Sequence, residues 1–158
     1  METKTNQNDG NKKLMPTHKV DSTLILKRVF DAPVELVWRA WTTPSELAKW
    51  YVAGWDHVVH FAEADVRVGG TYRIGFAPPG KTPYVEAGRY NEVIPLKRLA
   101  FEETVTHQEK HIHTNQTIVD FRDLDGRTEV TITTSGFESW NSDGWVPALE
   151  KLAIHLAA

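Results

Sequence analysis

The chain has 158 residues, 41 % of them hydrophobic, and a formal net charge of −3. That length suits a single domain with a proper core, and the scattered charges of both signs offer no footprint for nucleic acid and no basic block for an anionic membrane. There is no Cys, which excludes a disulfide framework and a thiolate metal site, and no run approaches the roughly 18–20 apolar residues of a membrane span.

The N-terminus, METKTNQNDGNKKL, has no apolar signal-peptide core. With the lack of Cys, this gives a cytoplasmic location as the expectation. Residues 1–20 are rich in Asn, Gln, Lys and Thr and cannot bury enough surface to offset their ordering entropy. They are expected to form a disordered polar tail before one domain over 21–158. Trimming them should leave the melting temperature nearly unchanged, and a drop of many degrees would show that they pack.

Ser22–Phe30 (STLILKRVF) predicts a first strand. Asp31-Ala32-Pro33 reads as an N-cap with an early Pro. Val34, Val37, Trp38 and Trp41 then fall at i, i+3, i+4 and i+7, one apolar helical stripe. Thr43-Pro44-Ser45-Glu46 has the form of a capping box opening a second short helix with Leu47 and Trp50. The period then changes. Tyr72, Ile74 and Phe76 alternate within Thr71–Phe76. Pro83–Ile94 and Arg98–His107 read as strands joined at Pro95-Leu96-Lys97. Ile112–Arg122 and Arg127–Ser135 flank Asp123-Leu124-Asp125-Gly126, a hairpin signal. Helical spacing returns with Trp145, Leu149, Leu152 and Leu156; Ser142 or Asp143 is the expected cap, with Pro147 near the first turn.

The predicted order is strand, two short helices, five or six strands and a long closing helix. An antiparallel meander must hide its apolar face, and the C-terminal helix is available to cover it. A curved sheet gripping one helix leaves space for a ligand pocket.

Four segments in order carry a family resemblance: APVELVWRAWTTPSELAKWY (Ala32–Tyr51); Asp65-x-Arg67-x-Gly69-Gly70; Gly88-x-Tyr90-x-Glu92-x-Ile94-Pro95-x-x-Arg98-Leu99; and Gly144-Trp145-x-x-Ala148-Leu149-x-x-Leu152. Together they resemble the family named for the activator of heat-shock protein 90 ATPase, within the START-like, polyketide-cyclase-like superfamily. The resemblance implies an α+β helix-grip (START/Bet v 1-like) fold, an antiparallel sheet wrapped around the C-terminal helix. It does not fix a function, because that superfamily hosts binding proteins, cyclases, hydrolase-like enzymes and cochaperone domains. The eukaryotic cochaperones carry a separate N-terminal domain where this chain has about 20 polar residues. The isolated protein is therefore expected not to stimulate a heat-shock protein 90 ATPase strongly. Robust stimulation at micromolar protein would reverse that expectation.

Individual residues sharpen the picture. Trp38 and Trp41 belong to a buried stripe and read as core. Trp50, Tyr51 and Trp55 end the second helix, where three aromatics exceed what helix packing needs; Trp50 is expected near a pocket mouth. Gly69-Gly70 reads as a tight turn, lacking phosphate-loop spacing and a following helix. Asp65 and Arg67 share a strand face and can pair. His111 and His113 stand about 7 Å apart along one strand, but no zinc motif accompanies them, and no metal or cofactor is expected. Ser135 and Ser139 lack a nucleophile elbow, so no catalytic residue is assigned.

On the strand face carrying Val119 and Phe121, the same parity contains Thr117, Asn115 and His113. In the neighbouring strand Leu99, Phe101 and Val105 share parity with Glu103 and His107. Without a bulge, each strand would run from apolar to polar on one inner face. The expected cavity between sheet and C-terminal helix has Val119, Phe121, Val130, Ile132 and Leu149 as its apolar wall. Phe101 belongs to the same lining, and Glu103, His107, His113 and Asn115 lie toward the other end. A binding module for a small apolar molecule, aromatic or lipid-like, is the leading expectation. A cofactor-independent cyclase- or hydrolase-like enzyme using Glu103 and a His, and a cochaperone-like interaction protein, are the alternatives.

Overall fold

The computed structural model describes residues 23–136 and 142–158. The tail expected over 1–20 and the proposed cap side chains Ser142 and Asp143 lie outside the described residues. Seven strands and three helices follow in the order β1 (Thr23–Phe30), α1 (Val34–Thr42), α2 (Pro44–Trp50), β2 (Val58–Ala64), β3 (Thr71–Ala77), β4 (Tyr84–Ile94), β5 (Arg98–His107), β6 (Lys110–Asp123), β7 (Thr128–Ser135) and α3 (Ser142–Ala157). The strands form one sheet, β1-β7-β6-β5-β4-β3-β2, with every neighbouring pair antiparallel. The chain enters at one edge, crosses through α1 and α2 to the opposite edge, and meanders back to β1. This is an α+β arrangement of the helix-grip type. No helix among the described residues is long and apolar enough to cross a membrane.

The turns follow from their residues. Asp125 and Gly126 both take positive φ, 63° and 105°, as a two-residue hairpin loop between twisted strands demands, and Asp123 Oδ1 accepts the Asp125 amide at 2.8 Å. The helix starts differ from expectation. Pro33, not Asp31, is the N-cap of α1, and Thr43 makes no side-chain cap bond at α2. Glu46, the other half of the expected capping box, instead meets His155 Nε2 at 2.6 Å and ties α2 to α3. Pro147 lies inside α3, further in than the first turn.

The helices cover one end of the sheet with aromatic rings. Trp41 stacks on Trp145 at 5.9 Å and meets Trp50 and Phe121 edge-on. Trp38 meets Phe121 at 5.2 Å. Leu152, Val37 and Trp50 are fully buried. Arg28 of β1 pairs with Glu150 of α3 at 2.9 Å.

One buried hydroxyl anchors the chain where it leaves β1: Thr128 Oγ1 donates to the Ala32 carbonyl at 2.8 Å. Thr128→Val removes that donor and leaves the carbonyl buried without it. A loss of about 1–3 kcal/mol is expected in chemical denaturation, and an unchanged midpoint would show that another group takes its place.

Candidate functional site

Sheet register assembles the site. Phe76, Tyr84 and His107 lie in one row across β3, β4 and β5. Ile74, Glu86, Val105 and His113 form the next row, and Tyr72, Gly88, Glu103 and Asn115 the third. Paired residues point to the same face, so these rows place aromatic and polar groups together on the inner face. Beside them lies a pocket of about 370 Å³, closed further by the segment after α2 and by Gly144 and Trp145 of α3. Its volume falls within the roughly 300–1,000 Å³ of small-molecule sites.

One wall is aromatic. His57 stacks on Phe76 at 5.8 Å and on Tyr84 at 6.4 Å. Gly54 admits that ring, because a Cβ there would meet His57 Nε2 at 2.8 Å. Tyr51 and Trp145, edge-on at 5.9 Å, supply two more rings.

The polar end is a pair of carboxyl groups. Glu86 and Glu103 are diagonal neighbours on β4 and β5, 6 % and 4 % exposed. Glu86 Oε2 accepts the hydroxyls of Tyr51 at 2.8 Å and Tyr72 at 2.7 Å. Glu103 Oε1 accepts Thr117 Oγ1 at 2.5 Å and Asn115 Nδ2 at 2.6 Å. Burial, with Glu86 beside it, holds Glu103 well above the usual carboxyl range and favours its protonated form. Burial and Glu86 also raise both tyrosines, so they act as hydroxyl donors.

Asn115 orients the next group. Because its amide nitrogen donates to Glu103 and Thr134, its Oδ1 faces His113. His113 Nδ1 therefore carries the hydrogen and donates at 2.9 Å. Burial lowers the pKa of both His113 and His57.

Gly88 is required by this arrangement. A Cβ there would fall on the ring of Tyr72, which crosses the strand to reach Glu86. Gly88→Ala should cost about 1–3 kcal/mol through overpacking and displace the Tyr72 hydroxyl. Chemical denaturation checks the first effect, and an unchanged midpoint would show that the ring has room to move.

The residues expected from the sequence divide sharply. Glu103 and His113 line the pocket, and Asn115 lies directly behind them. His107 stands outside, stacking on Tyr84 at 4.1 Å and reaching the Thr82 carbonyl. Val119, Phe121, Val130, Ile132 and Leu149 do not line it; they pack in the main core, where rings of α1 fill the space expected to be open. Phe101 packs there too, against Tyr72 and Tyr90. Trp50 is completely buried and donates Nε1 to the Ala40 carbonyl, whereas Trp55 is exposed. His111 faces Thr114, and Asp65 pairs with Arg67 at 2.9 Å at the surface.

Glu86, Tyr84, Phe76 and His57 were not anticipated as site residues. A signal for Glu86 existed: Tyr84, Glu86, Gly88 and Tyr90 share one parity in β4, which places a carboxylate between aromatic residues.

Solved structures share this fold. A protein from Chromobacterium violaceum is 27 % identical, with 86 % of this chain and 97 % of that one covered and a TM-score of 0.71. One from Nitrosomonas europaea is 24 % identical, over 85 % and 94 % of the two chains, with a TM-score of 0.71. An AHSA1-like protein from Aeromonas hydrophila, known from a solution structure, is 21 % identical over 86 % and 92 %, with a TM-score of 0.72. No curated protein gives a significant match. The family model described as Activator of Hsp90 ATPase homolog 1-like protein matches residues 31–157, nearly the whole of the described fold, and the chain belongs to that family.

Proposed function

We propose that the protein binds a small, largely apolar molecule in the 370 Å³ pocket, its body against the aromatic wall and its polar group at Glu86 and Glu103. The observation that carries this reading is the buried carboxyl pair in a pocket otherwise lined mostly by aromatic and aliphatic residues. Stability alone favours apolar side chains at such positions, since desolvating two acids is costly. Native mass spectrometry of protein purified from its host should reveal a co-purified small molecule, and the emptied protein should take up an apolar fluorescent dye saturably. Neither signal appearing would remove the proposal.

A second reading rests on the Glu103–Asn115–His113 chain. A carboxyl group held protonated beside a histidine can serve as a general acid. Under this reading Glu103→Gln abolishes turnover of the bound molecule. A ligand recovered chemically unchanged after prolonged incubation with the wild type would restrict the protein to binding.

A further inference from the structure

The walls of the pocket differ in charge as well as polarity. Among the described residues, two carboxyl groups line it and no Lys or Arg does. Among the described residues, neither Glu86 nor Glu103 forms an ion pair with a basic side chain. Two histidines, His57 and His113, line it as well; burial is the largest influence on both and pushes them toward their neutral forms, against the opposing pull of Asp56 on His57 and of Asn115 and Glu86 on His113. Among the described residues, the hydrogen bonds donated to the carboxyl pair come from neutral groups: Tyr51, Tyr72, Thr117 and Asn115. Among the described residues the site thus holds acid without a basic counter-charge. Tyr51, Trp145 and Phe76 line the same pocket, and aromatic rings attract positive charge through their quadrupoles.

From this juxtaposition we infer that the pocket's ligand carries a protonated nitrogen, an ammonium or amidinium group on an apolar ring-bearing body. The inference rests on the ligand-binding reading and names the ligand's class. An ammonium between Glu86 and Glu103 can donate to both and replace the proton that burial favours on Glu103, which leaves to solvent. A neutral alcohol offers one hydrogen bond and leaves the acid pair uncompensated. A carboxylate adds a further acid to the two present.

Three probes with one ring system separate these cases: 1-naphthylmethylamine, 1-naphthylmethanol and 1-naphthoic acid. Isothermal titration calorimetry of the full chain at pH 7, in phosphate and in MOPS, should show the amine binding at least tenfold tighter than the alcohol. The acid should show no saturable binding. The amine enthalpy should differ between buffers by the release of about one proton, because binding exchanges the Glu103 proton for the ligand's charge. In the double variant Glu86→Gln/Glu103→Gln the amine preference should collapse while the alcohol still binds. If the alcohol binds as well as the amine, or the double variant keeps the preference, the inference is overturned and the pocket reading stands. If no probe binds but the apolar dye does, the inference is likewise overturned. If neither dye nor probes bind, both readings fall. Should the double variant not fold, the three-probe comparison on the wild type decides alone.

Discussion

Val105→Trp is expected to abolish dye and ligand uptake at little cost in stability, whereas Val130→Trp should lower the unfolding free energy by about 1–3 kcal/mol or more and leave the pocket open. Both residues are valines on the inner face of one sheet, 6 % and 1 % exposed, and their surroundings differ. Val105 lines the pocket, between Glu86 on β4 and His113 on β6 in the same register row. An indole there grows into 370 Å³ of open space. Val130 pairs with Phe121 across β6 and β7 and belongs to the main core cluster, and Phe121 is already covered by Trp38 and Trp41. A close-packed interior accommodates extra volume only by forcing side chains off their rotamers. Paired denaturation curves and dye titrations of the two variants measure the contrast. Equal destabilisation would show that the pocket is already filled by side chains when the protein is in solution.

That contrast also marks how far the sequence could be read. Alternation in Arg98–His107 and in the second half of β6 correctly sorted inward from outward residues, because period-two parity is set by the backbone. It put Glu103, His113 and Asn115 on one face. Parity says which residues face inward but not which element covers them. Val119, Phe121, Val130 and Ile132 were therefore indistinguishable from pocket lining until α1 was seen to lay Trp38 and Trp41 over that end. Two irregularities hid more. β2 shows no clean alternation in the sequence, because a register shift between Val59 and Phe61 interrupts it. A second shift, in the β5–β6 pairing, sets Val105 opposite His113 but Thr106 opposite His111, so Ile112 joins the pocket lining beside His113 and the two histidines lose their common face. Bulges of this kind leave little trace in composition. The helix caps were misread for a different reason. The sequence contains the capping-box residues, but Glu46 is recruited by His155, 109 positions away, and a tertiary partner outcompeted the local one.

The carboxyl pair should also be visible in stability as a function of pH, through Glu103→Gln. Glu103 is pushed above its usual range by burial first and by Glu86 second. For an acid raised in the folded state, the native protein binds more protons than the unfolded chain between the two pKa values, so stability falls as pH rises through that interval. The contribution is fully present below the unfolded value of about 4.3 and is lost as pH climbs toward the folded one. Each unit separating the two values corresponds to about 1.4 kcal/mol at a pH above both. Glutamine reproduces the protonated form: its oxygen accepts from Thr117 and Asn115, and its amide donates toward Glu86. Other groups around the site titrate as well. Tyr51 and Tyr72 stay protonated throughout. His57 and His113, lowered by burial, act in the opposite sense, adding stability as pH rises toward their unfolded range near 6.5. The wild-type profile alone therefore mixes the two effects, and the difference between variant and wild type isolates Glu103. That difference should be near zero at pH 4 and grow in favour of Glu103→Gln up to pH 8, measured by urea denaturation at each pH. A variant less stable than the wild type at pH 8 would mean that Glu103 is ionised in the folded protein.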